Sequence, residues 1–402
     1  MKKILLLLTL IYSVSLLQAQ DEGYLLTNPR VQFECTEAVD SLYNFNFVVA
    51  EKQFTWLKQQ YPDHPLGYFL LALSEYWKIL PDEDVKTYDK NFFNYLDIAI
   101  DKAKVMYKAD KKNLEATFFL AASYGFKARR MADNNNYGRA GVASKACLNY
   151  LNEQREQHQS YGAEFLFGDA LYDYFRDWLP KHKKTLKPVV MFFPKGDKER
   201  GIRNLEKVSK EAFYTRIEAM KFLVDIYSSY EKKEDRDYTK AITIAKFLHE
   251  TYPNNAYFAV NYAQLNYMLN KFEKAESISL EIMEKVGNKK MGYTGESGRI
   301  SSFFIADIYR RRAKIDLSEL YYKKVIAYSY HLKKEDKGYF HSSLYYMAKY
   351  AEERNDIGEA RFLFDELMKF KSRKSKQWKY AKKYYKTNRK TKKIRPVWYT
   401  YK

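Results

Sequence analysis

An all-α fold, built as an α-solenoid of antiparallel helix pairs, is predicted by three observations on this 402-residue chain. Glycine and proline are few (15 and 9), which argues against a strand-and-turn fold and against long linkers. Small residues recur at fixed distances that would join neighbouring helices. Aromatic residues make up 17%, including 38 tyrosines, and a tyrosine tolerates a half-wet position because its hydroxyl can keep a polar partner. Such rings suit a thin array of helices in which few positions are wholly buried. About eight pairs fit the chain, curved into a superhelix.

Residues 1–20 read as a leader. Lys2 and Lys3 precede an apolar run from Ile4 to Leu17, closed by Gln18, Ala19 and Gln20. Charge, apolar core and small residue in that order make a secretory signal peptide. The run is about 14 residues, short of the roughly 20 that a membrane-spanning helix needs, and Tyr12, Ser13 and Ser15 interrupt it. Cleavage near Ala19 or Gln20 is therefore expected, with an uncleaved anchor as the alternative. Cys35 lies too far downstream to carry a lipid. The Met-Lys-Lys start has a bacterial look. The expected address is the periplasm of a Gram-negative bacterium or the periphery of its outer membrane.

Residues 21–178 read as N-terminal helical repeats. Ala50, Phe54 and Pro62 are spaced by four and eight, as a buried helix face followed by its stop requires. Leu66 to Tyr76 forms a first helix and Asn91 to Lys108 its partner, separated by an insertion from Leu80 to Lys90. Glu115 to Met131 pairs with Ala140 to Gln157, and Ala163 to Trp178 with Gly201 to Lys210. Between the last two lies a hydrophobic connector, 179–200, read as a plug between two halves or as a regulatory or binding loop.

Residues 201–370 carry the clearest repeats. Ala241, Ala245 and Pro253 repeat the earlier spacing, and Ala263 to Ala275, Ala306 to Ser318 and Ala348 to Ala360 are each 12 apart. Ala241 to Ala275 spans 34 residues. Small residues let two helix backbones approach closely, and a large residue such as Phe364 fills the next gap. At these residues the chain resembles the tetratricopeptide-repeat family, of an exported bacterial type. That resemblance implies a scaffold that binds a peptide or protein. The connector, with Leu-Pro180, Val-Val-Met-Phe-Phe193-Pro194-Lys-Gly196-Asp197 and Gly201-Ile-Arg-Asn-Leu205, resembles a segment of the inclusion-body-clearance family of repeat proteins, which implies a shared helical architecture and no function.

The net charge of +20 suggests nucleic acid until it is located. Residues 371–402 hold 14 Lys and Arg and no Asp or Glu. Removing these and the two leader lysines from the +20 leaves the body near +4. Within this basic aromatic tail, Trp378, Ala381 and Tyr385 fall at helical spacing, so a capping helix is expected from Ser375 to Thr387. Beyond it the helical period stops. Lys390, Lys392, Lys393, Arg395 and Trp398 then form a polyanion-binding candidate, its partner an anionic membrane surface or an acidic glycan. Interleaved aromatics also suit nucleic-acid stacking, but export makes that partner unexpected. A chain ending at Lys390 is expected to keep its fold.

Chemistry is sparse. The six histidines form neither HExxH nor any Cys/His cluster, so no metal and no cofactor is expected. His249 reads as a packed or surface histidine. Cys35 and Cys147 read either as two buried thiols or as one bridge. The glycine cluster from Gly287 to Gly298 lacks the strand and Gly-Lys-Ser/Thr entry of a phosphate-cradling loop, which leaves a flexible inter-repeat loop or a ligand lid. Asp82, Glu83 and Asp84 read as solvated acids. No catalytic residues are assigned, and the chain is not expected to be an enzyme.

A solenoid nevertheless creates a surface, because the first helix of each pair lines its concave side. If Ala263, Ala306 and Ala348 are the close-packed positions, Val260, Gln264, Tyr267, Phe303, Asp307, Arg310, Tyr345, Lys349 and Glu352 face the groove. The same register selects Phe69, Leu73 and Tyr76. The alternative is that many of these only pack against the neighbouring pair. The expected function is an exported scaffold holding a protein or peptide in that groove. A glycan- or nutrient-binding protein on the same scaffold, in the periplasm or at the outer membrane, is the alternative.

Overall fold

The structure is a computed structural model that describes residues 23–153, 162–182, 191, 193–229, 233–335, 338–370 and 375–400. The expected leader (residues 1–20), residues 183–190 and 192 of the connector, and residues 371–374 and 401–402 of the tail lie outside the described residues. Among those described there are helices and no strands. Two compact units divide the chain. One holds residues up to Leu42 with Asn46–Glu75 and Asp89–Met220, and the other holds Tyr43–Phe45, Tyr76–Tyr88 and Lys221–Lys402. This partition differs from the division at 179–200 read from the sequence.

Among the described residues seventeen α-helices follow one another: α1 (Pro29–Tyr43), α2 (Phe47–Gln60), α3 (Leu66–Ile79), α4 (Asp89–Ala109), α5 (Leu114–Asp133), α6 (Tyr137–Glu153), α7 (Ala163–His182), α8 (Lys198–Glu211) and α9 (Arg216–Ser228), then α10 (Tyr238–Thr251), α11 (Ala256–Met268), α12 (Phe272–Gly287), α13 (Gly295–Arg311), α14 (Ile315–His331), α15 (Gly338–Glu353), α16 (Ile357–Phe370) and α17 (Lys376–Thr387). This count differs from the eight or so pairs expected: it is odd, and α17 follows α15 and α16 as a single further helix. Neighbours in sequence are neighbours in space from α4 to α8 and from α10 to α17, and alternate helices also touch, α11 with α13 and α13 with α15. This is the layered order of an α-solenoid.

The small residues spaced by 12 explain the close approach. Ala263, Ala275, Ala306, Ser318, Ala348 and Ala360 are all fully buried. The α13–α14 contact is direct, since Ser318 Oγ donates to the backbone carbonyl of Ala306 at 2.9 Å. Helix starts follow from side-chain caps. Asn113, Asp197, Asn255 and Ser375 accept from backbone N–H groups three residues on, and Asp237 accepts from those of Thr239 and Lys240.

Helix ends use a device with no glycine in it. Asn135, Asn270, Lys289, Ala313, Lys333 and Asn355 all have positive φ, between 51° and 63°. Each is followed by a residue whose N–H returns to a carbonyl five positions back, as from Lys271 to Asn266 (2.9 Å) and from Lys314 to Tyr309 (2.9 Å). This six-residue closure satisfies the last free carbonyls and turns the chain into the next helix. Ala313 is exposed and gains nothing from its methyl group in this left-handed conformation. Ala313→Gly is therefore expected to stabilise the protein by about 0.5–1 kcal/mol, the relief of the left-handed Cβ clash outweighing the added freedom of the unfolded chain. Chemical denaturation checks this, through a higher midpoint at unchanged slope.

In the first unit α7 does not stop at Trp178 but runs through Pro180 to His182. The described end of the connector is tied back to α7. Arg176 Nη2 donates to the Phe193 carbonyl (2.8 Å), Tyr172 to that of Pro194 (2.7 Å), and Arg200 pairs with the buried Asp173 at 2.6 Å. Gly201 is required where α8 crosses α7, since a Cβ there would lie 2.7 Å from the Tyr174 nitrogen and 2.8 Å from the Ala170 carbonyl oxygen. Cys35 and Cys147 are both free thiols. Burial pushes both upward, Cys35 to about 11 and Cys147 to about 12.

The second unit corrects two expectations. Asp82 is not solvated. It is buried, and its carboxylate meets Lys334 Nζ at 3.2 Å, with Asp84 at 3.0 Å and Glu296 at 3.2 Å around the same ammonium. The glycine loop is packed, not loose: Gly292 (φ 80°) lies so close to the Phe45 ring that a Cβ would sit 2.2 Å from it, and Tyr293 beside it is buried. No helix among the described residues is long and apolar enough to cross a membrane.

Candidate functional site

The candidate site lies in the second unit, on α11, α13, α15 and α17, the layer formed by alternate helices. It is built as a ladder of rings and charges. On α13, Asp307 receives the Tyr267 hydroxyl of α11 at 2.6 Å, Arg310 Nη2 at 2.7 Å and Arg311 Nε at 2.6 Å. Arg310 also lies over the Tyr346 ring of α15, 4.3 Å from its centroid. Tyr267 stacks on Phe304 at 4.7 Å, and Phe303 lies on Tyr339 at 4.5 Å. The next rung joins α15 to α17. Lys349 donates to Glu352 at 2.6 Å and to the Tyr380 hydroxyl at 2.8 Å, and Tyr380 in turn donates to Glu352.

These contacts fix the charge states. Burial pushes the Asp307 carboxyl up, but hydrogen bonds from Tyr267, Arg311 and Arg310 outweigh it and hold the group below the usual aspartate range. Burial, reinforced by the bond to Asp307, pushes the Tyr267 phenol well above its ordinary value. Burial draws Lys349 down, while Glu352 and Tyr380 more than restore it, so it stays a cation. The face is therefore charged and internally matched at neutral pH.

Of the residues read from the sequence, Tyr267, Phe303, Asp307, Arg310, Tyr345, Lys349 and Glu352 are brought together here, with Val260 and Gln264 half-buried on α11. Asp307 itself is buried, so it acts by holding its neighbours in place. Phe69, Leu73 and Tyr76 do not belong to such a face. All three are buried, and Phe69 sits between Phe119 and Phe126 in the core of the first unit. Sequence reading missed Arg311, Tyr339, Tyr346 and Tyr380. The first and third follow Arg310 and Tyr345 by one position, and a wider face on each helix would have included them.

Searched against models of known protein families, the chain matches none, and no curated protein matches it.

The tail residues are distributed differently from the expectation. Helix α17 caps the array, with Ala381 fully buried and the Trp378 indole N–H donating to the Met368 carbonyl at 3.2 Å. Residues 388–400 then form a strap along α16. Its Ile394 N–H donates to the Gly358 carbonyl (3.0 Å), and Lys393 pairs with Asp365 (2.8 Å). Arg395 Nε donates to the Tyr399 carbonyl at 2.7 Å, and the Trp398 indole N–H to Glu359 at 3.1 Å. Tyr399 is buried in the core cluster of α13 to α17, edge-on to Phe362 at 5.0 Å. Lys390 and Lys392 stay exposed, whereas Trp398 is half-buried. The strap is thus part of the fold, and a chain ending at Lys390 does not keep all of it. That truncation is expected to lose about 2 kcal/mol, the order of burying one large ring, and thermal melting of the two chains checks it.

Proposed function

We propose that this chain is an exported, non-catalytic tetratricopeptide-repeat scaffold that holds a peptide or protein partner against the face of α11, α13, α15 and α17. The observation that carries this reading is the ladder itself. Half-exposed aromatic and charged side chains from four helices are fixed by one another before any partner arrives, which lowers the ordering cost of association. Aromatic and arginine side chains of this kind dominate protein interfaces. The spacing of 12 between buried small residues supports the family reading, and the charged leader supports the exported address.

The test compares wild type with a Gln264→Ala, Tyr345→Ala double variant, used as bait against the envelope fraction of the native host. A partner retained by wild type and lost at least tenfold by the variant, at an unchanged melting temperature, is the expected result. Equal capture by both baits removes this face from the function. Retention of wild type by a glycan array, with no protein captured, turns the reading to a glycan- or nutrient-binding protein.

A further inference from the structure

We infer that the strap over α16 is a membrane-surface contact, in which an apolar tip enters an anionic lipid bilayer while the surrounding lysines and arginines meet the headgroups. The tip is the turn Pro396–Tyr399, closed by the Tyr399 N–H donating to the Pro396 carbonyl at 2.9 Å. Val397 at its apex is 96% exposed, and Ile394 just before it is 56% exposed although its backbone is bonded to Gly358. An apolar apex on a mobile tail would collapse or fray. Here it is held out, because Tyr399 is locked in the core and Trp398 is tied to Glu359 beneath Lys323, whose ammonium lies 5.4 Å from the indole. Leu320, 48% exposed, lies one helical turn from Lys323 on α14. It adds a third apolar group on the side that Lys323 shares with the strap.

The strap itself carries charge of one sign, over acids that belong to α14 and α16. Lys390, Lys392 and Arg395 are exposed, and residues 371–402 contain no acid. The acids beneath are already engaged: Asp365 by Lys393, Glu359 by Trp398, and Glu319 by Arg354 and Lys323. Cations alone would suit any polyanion. Cations around a fixed apolar apex suit a surface that is anionic outside and hydrocarbon a few ångströms within, which a nucleic acid or a glycan is not.

The experiment uses the full chain without its leader, sedimented with vesicles of phosphatidylcholine containing about one-third phosphatidylglycerol, and titrated in parallel with heparin and a single-stranded oligonucleotide. Two variants accompany wild type: Val397→Ser, which leaves charge unchanged at a fully exposed site, and Lys390→Ala with Lys392→Ala. Val397→Ser is expected to weaken vesicle binding by about tenfold and to leave heparin and oligonucleotide binding unchanged. The lysine pair is expected to weaken all three in a salt-sensitive way. The inference is overturned if wild type does not sediment with these vesicles, or if Val397→Ser binds them as wild type does. It is also overturned if Val397→Ser weakens oligonucleotide or heparin binding equally, since the apex would then serve a nucleic acid or glycan.

Discussion

Lys334→Ala is expected to destabilise the protein by about 3 kcal/mol or more, because it removes a cation on which Asp82, Asp84 and Glu296 converge. Asp82 is the decisive partner, since it is buried and its carboxylate would lose the ammonium that balances it. A double-mutant cycle with Asp82→Ala, read by urea denaturation, should show strong coupling: the second substitution costs far less in the Lys334→Ala background than alone. Independent losses would mean that the cluster is a surface arrangement.

The same cluster fixes the sign of the pH dependence. Burial pushes Glu296 up, but Arg299 and Lys334 bring it below the ordinary glutamate value, and Asp307 lies below the aspartate value for the reasons given above. Their stabilising contribution is complete above the unfolded values of about 4 and is lost as pH falls through the depressed folded ones. Lys334 runs the other way. Burial lowers it, and Glu296, Asp84 and Asp82 raise it further, so its contribution holds below about 10.4 and fades above. Stability is expected to be flat through neutrality and to fall on both sides, more gently at acid pH in the Lys334→Ala variant.

Ala348→Trp is the second large effect. Ala348 and Ala360 are both fully buried among Leu344, Ala351, Leu363 and Phe364, and an indole there forces α15 and α16 apart. A loss of about 3 kcal/mol or more is expected. His249→Ala should cost less than about 1 kcal/mol, because His249 is only half-buried beside Tyr262. Thermal melts of the two variants separate them, and equal melting would mean that the small residues do not mark the helix contacts.

Much of the second unit was legible in the sequence because its signals are local. The buried alanines, the proline after α10, and the helical spacing around Ala381 all act within one or two turns. The helix ends were not legible, since Asn135, Ala313 and Lys333 adopt a conformation usually announced by glycine. Burial of Asp82 was not legible either: its partner is 252 residues away, and nothing near it in sequence distinguishes it from its solvated neighbours Glu83 and Asp84. On the candidate face, the register from the alanines found the residues on α13 and α15. It failed for Phe69 and Tyr76, because a position that faces outward in one pair is covered in another.

The second unit takes Tyr43–Phe45 and Tyr76–Tyr88 from a stretch of chain made long before the rest of it. Trp77 therefore waits for Phe258, the Tyr43 carbonyl for the Asn255 amide, and Asp82 for Lys334. Neither unit can be excised as one contiguous piece. Expression of 221–402 alone would leave an aromatic socket without its indole, and a ribosome stalled near residue 220 would display that indole against Tyr43 and Phe45 but without Tyr257 and Phe258. A chain whose first half is assembled thus still holds Trp77 without Phe258, and the interval before release is the time of greatest exposure to aggregation.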